Sequence, residues 1–185
     1  GSALVGFDWM LAYEQDTVGA AIKQASDGVN VLRWITPSLW AGLLAGTVTT
    51  DVITAAVNSA KATGKTIIIP DGTYYTDTGI DLTGFTGKVL CSGTIKAKAS
   101  TTIAHLVDFS GASGFEWLGG VLDFTQTSST ADGDARSDHG FCMLDARDGK
   151  IHGVRFDNIR IGEVIYINGT SSVSPSAAHG SKRIQ

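Results

Sequence analysis

Between residues 66 and 75 the chain reads Thr-Ile-Ile-Ile-Pro-Asp-Gly-Thr-Tyr-Tyr, and its polarity changes abruptly at the centre. Ile67, Ile68 and Ile69 are consecutive β-branched residues, so they predict a strand, and apolar side chains on both faces predict burial on both sides. Pro70 cannot continue the ladder, Asp71-Gly72 supplies a turn, and Thr73, Tyr74 and Tyr75 leave it as a second strand. Upstream, residues 51–63 carry helical periodicity. Val52, Ile53, Ala56, Val57 and Ala60 form an apolar stripe, Thr50 is the expected N-cap, Lys61 lies in the last turn, and Gly64 follows the C-cap. The predicted order is helix, buried strand, corner, strand.

The first part of the chain has a different pattern. Asp16 caps a predicted short helix with Val18, Ala21, Ile22 and Ala25 on one face and Gly28 beyond its end. Residues 29–35 read as a strand, and Thr36-Pro37-Ser38 ends it. Residues 39–44, Leu-Trp-Ala-Gly-Leu-Leu, are too short and too apolar to stand alone in water. They are expected either to pack on the strands that follow or to meet copies of themselves. Beyond Tyr75 short apolar pieces alternate with Gly, Asp, Ser and Thr, which predicts strands at 80–82, 89–91, 94–97, 106–109, 115–117, 121–124, 141–144, 151–156, 159–161 and 164–168. Residues 114–124 can be laid over 149–156, Gly114 on Gly149, with a third relative at 163–168. That offset of 35 exceeds a repeat of roughly 20 to 30 residues, so an insertion is required. Polar residues 126–138 are read as that long loop.

The helix at 51–63 followed by Ile67-Ile-Ile-Pro-Asp-Gly-Thr-Tyr-Tyr75 resembles the entrance to a right-handed parallel β-helix, as in pectate-lyase-like proteins and phage tailspikes. In those proteins a short amphipathic helix covers the open end of the solenoid, whose first strands would otherwise expose an apolar interior and an unpaired edge. Val5-Gly6-Phe7 with the helix near 17–26 resembles the neck that precedes a tailspike β-helix. The fold class expected is therefore all-β: the first coils of a right-handed parallel β-helix, with an N-terminal capping helix and a small mixed α/β neck. Residues 1–2 resemble an expression scar, 3–48 form the neck, 49–64 the capping helix, and 65–185 the first coils, truncated at the C-terminus. The resemblance implies an N-terminal fragment of a phage tailspike that binds and degrades host cell-surface polysaccharide, with the chemistry in later coils and this fragment silent. It further implies a homotrimer, contacts with other virion tail or baseplate proteins, and a place in the virion tail after synthesis in the host cytoplasm. A non-enzymatic receptor-binding or adaptor tail protein, and a secreted pectinase-like enzyme, are the alternatives.

Composition narrows this reading. The 185 residues include 23 glycines and only three prolines, suited to an all-β chain with many tight corners. A net charge of −4 argues against nucleic acid or an anionic membrane as partner, and no apolar run approaches the roughly 18 residues of a membrane helix. Cys91 and Cys142 sit in apolar contexts and read as two reduced core thiols.

Candidate chemistry is sparse. Gly64-Lys65-Thr66 looks like the end of a phosphate loop, but the helix precedes the strand and Ser59 stands where a glycine is needed. Residues 132–139 fail as a calcium loop, since Arg136 occupies a ligand position and Met143 replaces the bidentate Glu. Zinc needs three or four close ligands, and the local sequence offers His139 and Cys142. No cofactor and no metal are expected. Polysaccharide cleavage uses two carboxyls, which neighbouring coils about 4.8 Å apart can bring together. The catalytic candidates are Glu116, Asp123, Asp138, His139 and Glu163, with Asp145 and Asp157 also placed on coil faces. Trp117 reads as core packing rather than a sugar platform.

Overall fold

The computed structural model describes residues 28–98, 103, 105–124, 139–158 and 164–168. Strand β1 (Gly28–Asn30) leads through 3-10 turns at Val31–Trp34 and Pro37–Leu39 into two helices, α1 (Trp40–Leu44) and α2 (Ile53–Lys61). Twelve strands follow: β2 (Thr66–Ile69), β3 (Thr73–Thr76), β4 (Ile80–Asp81), β5 (Lys88–Cys91), β6 (Thr94–Ala97), β7 (His105–Asp108), β8 (Glu116–Leu118), β9 (Val121–Asp123), β10 (His139–Leu144), β11 (Lys150–His152), β12 (Arg155–Asp157) and β13 (Ile165–Asn168). They form three sheets, ordered β1-β2-β5-β8-β11, β3-β6-β9-β12 and β4-β7-β10-β13. Each strand pairing is parallel. The chain is thus mostly parallel β-sheet with few helices. It visits the three sheets in turn, and every round places its strand beside that of the round before.

The interior follows from strand alternation. Ile67, Ile69, Val89 and Trp117 from the first sheet, Tyr74, Ile95 and Leu122 from the second, and Ile80, Val107 and Phe141 from the third all belong to one buried cluster. Aromatic rings dominate its later part: Phe109 stacks on Phe115 at 4.1 Å, and Trp117 meets Phe141 edge-on at 5.4 Å. Trp117 is fully buried, and its indole N–H donates to the Gly119 carbonyl at 2.8 Å, so it serves the core as expected. Cys91 and Cys142 are buried and unbridged, also as expected.

The corners between the first and second sheets stack as well. Thr94 N donates to Gly72 O, Val121 N to Gly93 O and Arg155 N to Gly120 O, each at 2.8–3.0 Å. At the first of these corners, the buried Tyr74 hydroxyl donates to the Pro70 carbonyl at 3.1 Å. The Pro-Asp-Gly turn is therefore held from inside the core.

Helix α2 buries Ile53, Ala56, Val57 and Ala60 against the 3-10 turn at Val31–Trp34 and the first round of strands. Gly64 adopts φ 68° after its end, the conformation its position required. The N-cap position, however, is Val52 and not Thr50, and the side-chain acceptor that Val52 lacks is supplied by Asp51. Its Oδ1 accepts from Thr54 N at 3.1 Å, and its Oδ2 from Thr54 Oγ1 at 2.8 Å and Asp77 N at 2.9 Å.

Other expectations are revised. The strand expected at 29–35 stops at Asn30, because the Asn30 side chain accepts from Leu32 N at 2.9 Å and turns the chain into a 3-10 helix. Residues 39–44 pack on the strands in part: Leu43 is buried, whereas Leu44 is 63% exposed. With Leu32, Pro37, Trp40, Pro70 and Tyr74 they line a groove of about 400 Å³. The piece at 151–156 is two strands, broken where Gly153 turns with φ 65°. The internal repeat is real, but its register is 34, not 35. Lys150 pairs with Glu116 and Phe156 with Leu122, so Phe156 does not match Phe124. Residues 165–168 pair with β10 in the third sheet and are not a third copy of that repeat. The neck elements at 5–7 and 17–26, the loop at 126–138 and the strand at 159–161 lie outside the described residues.

Candidate functional site

On the outer face of the second sheet, register places one polar row across four strands. Tyr75 pairs with Lys96, Lys96 with Asp123, and Asp123 with Asp157. Period-two alternation puts these side chains opposite Tyr74, Ile95, Leu122 and Phe156. The row is organised by charge. Lys96 Nζ lies 3.0 Å from Asp123 Oδ2, with both side chains less than a fifth exposed, and 6.0 Å from the Tyr75 ring centroid. Asn158 Nδ2 donates to Asp123 Oδ1 at 2.9 Å, and Arg155 donates to Asp157 Oδ2 through Nη2 at 2.8 Å and Nε at 3.1 Å. At the end of the same face Lys98 pairs with Asp77 at 3.2 Å.

Two of the carboxylates considered in the sequence, Asp123 and Asp157, are thus neighbours on adjacent strands, about 4.8 Å apart at the backbone. Both already hold cationic or amide donors. Glu116 lies in the first sheet between Lys88 and Lys150. Its hydrogen bond to Lys88 Nζ at 2.7 Å holds its carboxyl below the usual glutamate range, the reverse of what a general acid requires. Asp145 occupies a corner after β10 with φ 55°. Asp138 and Glu163 lie outside the described residues.

His139 starts β10 in the third sheet. Its ring stacks between His105, at 5.7 Å, and Tyr166, at 4.8 Å. Beside this ladder, Asp108 and Cys142 are register partners, and one ligand-capable atom from each of His105, Asp108 and Cys142 lies within 4.8 Å of the others. Ser110 donates to Asp108 Oδ1 from both Oγ, at 2.5 Å, and N, at 2.8 Å. Sequence reasoning found His139 and Cys142 but missed His105 and Asp108, which stand on the preceding round. Their shared His offset of 34, from residue 105 to 139, is the signal that pairs them. Burial pushes the Cys142 thiol up to about 11 and the Cys91 thiol up to about 12, so neither is an activated nucleophile.

The charged groups of the polar row are held in place by one another, and they set donors, acceptors and one aromatic ring along a line. No family model, no curated protein and no solved structure matches the chain.

Proposed function

We propose that this chain is the amino-terminal part of a phage tailspike or related polysaccharide depolymerase, in which a neck and capping helix lead into the first coils of a right-handed parallel β-helix. The observation that carries the proposal is the cyclic passage of the chain through three parallel sheets, with α2 packed over the first round. In this reading the homotrimer binds host cell-surface polysaccharide along the row from Tyr75 to Asp157, and the neck meets other tail proteins of the virion. Exposed Leu44 and the neighbouring apolar groove supply surface for contact between copies.

Within this reading the described residues bind and do not cleave. The hydrogen bond from Lys88 holds the Glu116 carboxyl below the usual glutamate range and opposes proton donation, and Asp123 is engaged by Lys96 and Asn158.

The test is retention of purified bacterial capsular and O-antigen polysaccharides on the immobilised chain, with size-exclusion chromatography of the recovered sugar. Retention of at least one polysaccharide without shortening is expected, and Lys96→Ala weakens it about tenfold or more. Light scattering on the same preparation is expected to give a trimer. Retention of none, or an equal response from the Lys96 variant, overturns the assignment of this face, and sugar shortening overturns its silence.

A further inference from the structure

Three polar side chains of the third sheet converge from two rounds of the chain. Asp108 and Cys142 sit side by side in register on β7 and β10, while His105, three residues before Asp108, brings an imidazole nitrogen to the same place. The three ligand atoms come from chemically different groups and lie within 4.8 Å of one another, with Cys142 fully buried and the other two partly so. Acidic surface clusters are common, but a convergent imidazole, carboxylate and buried thiol is a different donor set.

We infer that His105, Asp108 and Cys142 form a binding site for a zinc-like divalent transition metal, with a fourth position left for water. The donor set selects the metal: nitrogen, oxygen and sulfur together suit Zn²⁺ and Co²⁺, whereas Ca²⁺ and Mg²⁺ take oxygen. Three protein ligands are the number found where one position stays open. Tetrahedral bonds of about 2.0–2.3 Å place ligand atoms about 3.3–3.8 Å apart, so the widest separation here closes by about 1 Å on binding.

The surroundings fit the assignment. Ser110 donates to Asp108 Oδ1 from both N and Oγ, which orients the carboxylate, and its Oγ also lies 3.9 Å from Cys142 Sγ, so one side chain touches two of the three ligands. The His105 ring is stacked on His139, and His139 on Tyr166, which limits its rotation. On binding, the Cys142 S–H bond breaks, its proton leaves to solvent, and the sulfur pair forms the metal bond; no oxidant or reductant is involved.

The experiment is a titration of the chelator-treated, full chain with Co²⁺ alone, followed by absorption spectroscopy, then displacement with Zn²⁺. One equivalent of Co²⁺ giving a sulfur-to-cobalt charge-transfer band that Zn²⁺ removes is the expected result. The band vanishes in Cys142→Ser and survives in Cys91→Ser. Asp108→Asn, which keeps the side-chain shape, lowers affinity at least about tenfold. Absence of the band, its survival in Cys142→Ser, or its loss in Cys91→Ser overturns the site. Circular dichroism of each variant accompanies the titration. Should Cys142→Ser not fold, unchanged affinity in Asp108→Asn overturns the site equally.

Discussion

A single glycine shows how local geometry and the stacking of rounds combine. Gly120 has φ 83°, and a Cβ there would fall 2.5 Å from Cys91 Sγ and 3.1 Å from the Gly93 carbonyl oxygen. Gly84 has φ 69° with nothing near the corresponding position. Both substitutions by alanine incur left-handed backbone strain of about 1–2 kcal/mol, but only Gly120→Ala also collides with the preceding round. Urea denaturation is expected to show a loss for Gly120→Ala of at least about 2 kcal/mol, clearly larger than for Gly84→Ala. Equal losses would remove the steric part of the argument. The Gly-Gly corner at 119–120 is legible in the sequence as a turn. Its contact with Cys91 is not, because that residue stands on a different round, 29 positions earlier in the chain.

At the scale of elements, α2 illustrates the same division. Its apolar stripe was readable from spacing, since Ile53, Ala56, Val57 and Ala60 recur every three or four residues and are the residues it buries. Its N-cap is Val52, two residues beyond the expected Thr50, and the side chain that serves the first turn is that of Asp51. Thr50 and Asp51 are both good capping types, and what decides between them is the corner after β3, where the Asp77 N–H also requires an acceptor. Asp51→Ala is therefore expected to cost about 1–3 kcal/mol, more than an isolated cap, while Thr50→Ala stays within about 0.5 kcal/mol. Thermal unfolding of the two variants checks this, and a larger loss for Thr50→Ala would restore the original assignment. Strand β1 ended early for a comparable reason: the Asn30 carboxamide offers Leu32 N–H a local partner that competes with the ladder.

For the whole molecule, cross-strand charge pairs tie the rounds together and set the acid response. Glu116 is lowered from the ordinary value of 4.5 chiefly by its hydrogen bond to Lys88 on the previous round. Asp81 is lowered from 3.8 chiefly by the Thr83 backbone and hydroxyl, with help from Lys61 of α2. A depressed folded-state pKa contributes stability that is present above the unfolded value and lost as pH falls through the folded one. The urea midpoint is thus expected to hold from neutrality to about pH 5 and to fall below about pH 4.5, with Glu116→Gln showing a shallower fall. Because these pairs are partly solvated, each is worth under about 1 kcal/mol. A Glu116→Gln variant with an unaltered pH profile would show that the pair is silent. By itself the sequence determined the strands at 66–69, 73–76, 88–91 and 94–97, the Pro-Asp-Gly corner, the apolar stripe of the helix and the burial of Trp117, all of which depend on periodicity and turn chemistry within a few residues. Only the tertiary structure decided that Lys96 meets Asp123, that Phe156 lies on Leu122, and that His105 and Asp108 reach Cys142. Those partners depend on how many residues each round spends at its corners. Ile67 to Val89 takes 22 residues, Val89 to Trp117 takes 28 and Trp117 to Ile151 takes 34, and no local period encodes that sum.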